Sequence, residues 1–175
     1  ARAYLASKTP ACSLSQSSLA NNFLHVAGNL YAKWERNTTI APAVAVNTMK
    51  ILTQVAENGI DLKDVSLQPF YDFCAERGIT VSDETLSQDH FALARAFLAY
   101  NSIDAKLNQE EMATLLGVVP NLYSKWERGG ETGNTAPAVA MTAVVILIKL
   151  SILKVDYRQL SIKEFWGFAE QLPKG

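Results

Sequence analysis

The side chains capable of chemistry occur twice along this chain. Leu30-Tyr31-Ala32-Lys33-Trp34-Glu35-Arg36 returns as Leu122-Tyr123-Ser124-Lys125-Trp126-Glu127-Arg128. Four cations, Lys33, Arg36, Lys125 and Arg128, therefore hold identical places in two heptapeptides, which suits a surface that meets a polyanion. Nothing comparable exists for catalysis. His25 and His90 have no Ser, Cys or Asp constellation repeated around them. Cys12 and Cys74 lack counterparts in the other copy and read as reduced, packed thiols. Glu35 and Glu127 are expected as structural ion-pair or capping groups, and Trp34 and Trp126 as packing residues. The expectation is a protein that is not an enzyme and needs neither metal nor cofactor.

The repeat reaches well beyond the heptapeptide. Ala1-Arg2-Ala3-Tyr4-Leu5-Ala6 matches Ala94-Arg95-Ala96-Phe97-Leu98-Ala99, and Ala41-Pro42-Ala43-Val44-Ala45 matches Ala136-Pro137-Ala138-Val139-Ala140. Ser66, Phe70 and Phe73 fall on Ser161, Phe165 and Phe168. Two copies of one small unit therefore fill the chain, predicted as residues 1–80 and 88–175 with a linker at 81–87. In copy one nothing corresponds to residues 88–93, so its first helix is expected to be short.

An apolar fraction of 49% with 19% charged residues describes an ordinary globular protein. The longest apolar stretch, Val144 to Leu153, is interrupted by Lys149 and Ser151 and is too short for a bilayer, so a cytoplasmic protein without membrane contact is expected. The net charge of −1 conceals an asymmetry: residues 1–56 carry five bases and the single acid Glu35, whereas residues 57–104 carry nine acids and three bases. A polyanion is drawn to the first segment and repelled by the second.

Copy two shows the elements most clearly. Phe91, Leu93, Ala94, Phe97 and Leu98 recur at helical spacing over about Asp89 to Asn101. Asn108 with Glu111 forms a capping-box pattern opening a short helix whose inner face is Met112, Leu115 and Leu116, and Gly117 ends it. Pro120 starts a third helix that runs to Arg128, where Gly129-Gly130 stops it. Pro137 starts a long fourth helix, and Ser161 with Glu164 caps a fifth. The fold class is all-α, two tandem units of five helices each.

Leu107-Asn108-Gln109 through Gly117-Val118, followed by Lys125-Trp126-Glu127-Arg128-Gly129, resembles the Cro and phage-repressor class of helix-turn-helix domains, also called the xenobiotic-response-element family. Leu14-Ser15-Gln16 to Arg36 is similar through the repeat, with one extra residue between Asn21 and Gly28. Ala113 suits a close helix crossing and Gly117 a positive φ. The resemblance implies a transcriptional regulator that binds double-stranded DNA with its third helices in the major groove. It places Pro120, Asn121, Leu122, Ser124 and Lys125, and in copy one Gly28, Asn29, Leu30, Ala32 and Lys33, toward the bases. Asn reads adenine, Lys guanine and Leu a thymine methyl. Gln16 and Gln109 are implied to reach phosphate, as are Arg36 and Arg128. The family often places an Arg in the first helix, six or seven residues before that Gln, as partner for the Glu of Trp-Glu; here Thr9 and Ser102 stand seven residues before it.

The fourth helices differ most between the copies. Val46 to Gln54 is amphipathic, whereas Met141 to Leu150 is apolar on nearly every face and must be covered on both sides. Either copy one or the same helix of another chain can supply the cover. A homodimer through Val144, Val145 and Ile148 is the expectation. No small-molecule ligand is indicated. The alternative to DNA binding is a protein-interaction or oligomerisation module on the same scaffold, as in an antitoxin-like or phage or plasmid accessory regulator.

Overall fold

The computed structural model describes residues 2–8, 24, 28–36, 38–102, 104–129, 135–160 and 163–171. Among them every regular element is helical: α1 (Arg2–Lys8), α2 (Gly28–Glu35), α3 (Ala43–Glu57), α4 (Gln68–Ala75), α5 (Phe91–Asn101), α6 (Gln109–Leu116), α7 (Pro120–Arg128), α8 (Ala138–Ile152) and α9 (Lys163–Glu170). One-turn 3₁₀ segments lie at Gln88–His90 and Tyr157–Gln159. No described helix is long and apolar enough to cross a membrane. The all-α class stands.

The repeat extends to the helix boundaries. α3 and α8 have the same 15-residue length, each follows a proline that has no helical N–H to lose, and their first residues are the matched Ala43 and Ala138. Local chemistry sets the other starts. The Asn108 side chain accepts from the Glu111 N–H at 2.8 Å and the Glu111 carboxylate from the Asn108 N–H at 3.0 Å, the expected capping box. A second such box was not anticipated: Ser87 caps the 3₁₀ turn before α5, and its N–H donates to His90 Nδ1 at 3.1 Å. His90 thus closes a helix start. The capping pair read at Ser161 and Glu164 lies outside the described residues and side chains.

The two copies share one core. α8 packs against α3 of copy one on one side and α5 of its own copy on the other. Phe97 of α5 meets Phe70 and Phe73 of α4 edge-on, with ring centroids 5.4 and 5.3 Å apart. The segment 81–87, expected as a linker, contributes the buried Val81 and packs Leu86 against the same cluster. Two polar contacts cross the seam at matched positions. Gln54 Nε2 donates to the Leu160 carbonyl at 3.2 Å, and Lys149, its counterpart in α8, donates through Nζ to the Leu62 carbonyl at 3.5 Å. Each fourth helix reaches the chain just beyond the other, the reciprocity expected of a two-fold contact.

This arrangement corrects the assignment of Val144 and Ile148 to a contact between chains. Both are fully buried within one chain and Val145 is half-buried, so copy one covers the apolar helix from within. A charge at Ile148 would have no water and no partner. We expect Ile148→Glu to abolish the cooperative thermal transition seen by circular dichroism, and the parent chain to be monomeric by light scattering. A folded, monomeric Ile148→Glu protein would mean that α8 is covered by a second chain.

Candidate nucleic-acid interface

α6 and α7 are joined by Gly117-Val118-Val119, with Gly117 in the left-handed region at φ 73°. Glycine is required there for two reasons. The conformation disfavours any Cβ, and a Cβ would stand 2.8 Å from Asn47 Cβ and 3.1 Å from the Ala43 carbonyl of α3. Asn47 Nδ2 also donates to the Leu115 carbonyl. Helix α3 of copy one therefore buttresses the turn of copy two.

Helix α7 has two distinct faces. Tyr123 and Trp126 are buried, with Phe91 stacked on Tyr123 at 6.4 Å and edge-on to Trp126 at 6.5 Å. The outer face presents Val119, Pro120, Asn121 and Arg128 to solvent, with Ser124 and Lys125 half-buried at its margin. Leu122 is half-buried and packs against the core, which removes most of it from the role of touching a thymine methyl. In copy one, α2 exposes Asn29 and Lys33, half-buries Gly28, Leu30 and Ala32, and buries Tyr31. Arg36 is exposed beyond its end, and its Nε donates to the Ala32 carbonyl at 3.2 Å as Arg128 Nε does to Ser124 at 3.4 Å. The two arginines thus adopt the same pose in both copies. Gln16 lies outside the described residues.

Glu127 anchors α7. Its carboxylate receives Arg95 Nε at 2.6 Å, Arg95 Nη2 at 3.3 Å and Gln109 Nε2 at 2.6 Å, while Arg95 Nη1 donates to the Leu107 carbonyl at 3.1 Å. In copy one Arg2 Nε meets Glu35 at 2.7 Å. The ion pair whose usual position holds Ser102 and Thr9 is therefore made, from a different place on the first helix. The signal was present in the sequence, because Arg2 and Arg95 are matched cations within apolar helices. The expectation for Gln109 changes as well: its amide nitrogen faces Glu127, not outward toward a phosphate. Gln88, another residue the sequence did not single out, donates to the Trp126 carbonyl at 3.0 Å and accepts from the Ala136 N–H at 2.6 Å, tying the end of α7 to the start of α8.

Desolvation pushes the Glu127 carboxyl up, but hydrogen bonds from Arg95, Tyr123 and Gln109 outweigh it and hold the group below its ordinary value. Burial beside that carboxylate pushes the Tyr123 hydroxyl up, and the bond to Glu127 raises Arg95. All three remain in their usual neutral-pH forms. Among the described residues no three His, Cys, Asp or Glu side chains converge on a metal position.

Arg95→Ala leaves a mostly buried carboxylate without its charge partner and should cost about 2–4 kcal/mol, whereas Arg2→Ala, in a pair exposed to solvent, should cost about 1 kcal/mol or less. Since Glu127 titrates lower in the folded chain than in the unfolded one, its contribution is complete above the ordinary carboxylate range. It is lost as pH falls through the depressed folded value. Urea unfolding at neutral pH and at about pH 3 should show a larger Arg95→Ala deficit at the first than at the second. The chain matches no family model, no curated protein and no solved structure.

Proposed function

We propose that this protein is a sequence-specific double-stranded DNA-binding regulator whose two helix-turn-helix units, one per copy, act as a covalent dimer. One observation carries the reading. At matched positions, α2 and α7 bury a tyrosine inward and carry an exposed Asn in the first turn and an exposed Arg at the end. Asn matches the adenine edge, and Arg at the helix end matches backbone phosphate. The left-handed Gly117 and the close crossing at the fully buried Ala113 fit a recognition helix presented by a short supporting helix. Tethering raises the effective concentration of the second unit, so two weak half-site contacts give useful affinity without a large basic surface.

The reciprocal seam between α3 and α8 supports a paired arrangement, and the +4 balance of residues 1–56 supports stronger electrostatic attraction by copy one. Copy two is assigned the larger share of base reading through Asn121, Ser124 and Lys125. A second reading has its own observation. Ile40 is 94% exposed and Val46 57%, an apolar display on copy one that suits a protein partner better than a phosphate backbone.

The test is fluorescence anisotropy with duplexes selected from a random pool. Changing Lys33, Arg36, Lys125 and Arg128 together to Ala should weaken binding to every duplex and reduce the slope of log K against log salt by about 3–4, because each lost phosphate contact releases fewer counterions. Asn121→Ala should relax one base-pair position at a cost of about 1–3 kcal/mol, and Asn29→Ala should do less. Binding by the quadruple variant equal to that of the parent at low salt would falsify the DNA reading.

A further inference from the structure

Asn58 and Gly59 form the one Asn-Gly pair in the sequence, with Asn58 capping the end of α3 and Gly59 following it. Such a pair is chemically labile, because glycine has no side chain to hinder its own nitrogen from attacking the asparagine Cγ. Both residues are exposed, and the space around the Gly59 α-carbon is open. The closed turn nevertheless engages both reacting groups. Asn58 Nδ2 donates to the Gln54 carbonyl at 2.8 Å, and the Gly59 N–H donates to the Ala56 carbonyl at 3.1 Å. Gly59 stands in the left-handed region at φ 65°, which lets the Ile60 N–H return to the Val55 carbonyl at 3.1 Å. Copy two closes α8 in the same way, with Lys154 at φ 60° and the Val155 N–H on the Leu150 carbonyl at 3.0 Å, but Leu153 stands where copy one has the asparagine. Of the two matched helix ends, only that of copy one carries an amide able to react.

We infer that Asn58-Gly59 is a spontaneous deamidation site, reached by fraying of the last turn of α3 while the core stays folded, and that its products loosen this helix end beside the seam. Helix ends open at far lower free energy than a buried core. Once the turn opens, the Gly59 nitrogen bonds to Asn58 Cγ, the Cγ–Nδ2 bond breaks, and ammonia leaves with the proton of the Gly59 N–H. The product is a succinimide, which water opens. Addition at Cγ breaks its bond to the Gly59 nitrogen and leaves aspartate. Addition at the main-chain carbonyl carbon breaks the other imide bond and leaves a β-linked aspartate, whose backbone is one carbon longer. Either product sets a carboxylate at the negative pole of α3 and replaces the amide donor that faces the Gln54 carbonyl. The seam is close by in the chain: Gln54 also donates across it to the Leu160 carbonyl, and Lys149 reaches Leu62, three residues beyond Gly59.

The test incubates the chain at mildly alkaline pH and follows its tryptic peptide Ile51–Lys63, which gains the mass difference between OH and NH2, with the β-linked form resolved by chromatography. The native chain should convert about 5- to 30-fold more slowly than the chain in guanidinium, the factor for opening two hydrogen bonds of modest net strength. Arg95→Ala, which weakens the core on the side of copy two, should leave the native rate unchanged. Asn58→Gln should suppress conversion, because the attack would then close a six-membered ring. The converted chain, separated by ion exchange on its added negative charge, should melt about 2–8 °C below the parent. Conversion as fast in the native chain as in guanidinium overturns the inference, and so does an Ile51–Lys63 peptide that stays unmodified in the native chain. A native rate that rises in Arg95→Ala by the factor through which the folding constant falls overturns the local route. Equal melting temperatures for parent and converted chain overturn the effect on α3.

Discussion

Helix α8 sets the constraint that the rest of the chain satisfies. Its fifteen residues are apolar nearly all round, and nine of them are buried, leaving only a partly exposed stripe through Ala138, Thr142, Val145 and Lys149, so the helix needs cover on most of its surface. Its two covers come from different parts of the sequence, α3 from copy one and α5 from copy two. Once both are in place, the remaining helices have few options. α4 packs on α5 through three aromatic rings, and α6 reaches α3 at the Asn47 and Leu115 contact. The two copies are therefore parts of one cooperative body. Burial of Val144, Leu147, Ile148 and Leu150 ties the stability of each copy to that of the other.

Above that core, the candidate interface is held by electrostatics as much as by packing. Glu127 gathers an Arg from α5 and a Gln from α6 onto one carboxylate of α7. Three helices are thereby fixed at a single point on the helix that carries the exposed Asn121 and Arg128. Copy one makes the same pair with Arg2 but leaves it more open to solvent. The more open clamp accompanies a tryptophan, Trp34, that is also less enclosed than Trp126.

Much of this was legible in the sequence, for physical reasons that are local. Helix starts depend on a cap or a proline, so Asn108, Pro120 and Pro137 fixed the N-termini of α6, α7 and α8 to within a residue. Gly117 suits a positive-φ turn because it has no Cβ, and the observed φ of 73° agrees. Long-range choices were not legible. A completely apolar helix states that it must be covered but not by what, so copy one and a second chain both stay open in the sequence as covers for Val144 and Ile148, and the structure buries both within one chain. The Arg95–Glu127 pair joins residues 32 positions apart, so the matched cations Arg2 and Arg95 marked one partner without identifying the other. Gln109 shows the same limitation, since a side chain at the start of a helix can turn outward to phosphate or inward to a carboxylate, and only the position of α7 decides between them.

Joining two copies in one chain has a consequence for the seam between α3 and α8. In a symmetric homodimer every residue at the two-fold contact appears twice, so both sides must carry the same sequence and any change is made on both. Here Gln54 and Lys149 hold matched positions and do matched work with different chemistry, an amide on one side and an ammonium on the other. The same freedom lets α8 become almost wholly apolar while α3 keeps Asn47 to support a turn and Lys50 at the surface. Two wholly apolar partners would leave an uncovered greasy face on each outer side. Covalent linkage thus allows one of two matched helices to be the inner element while the other keeps polar side chains at the surface.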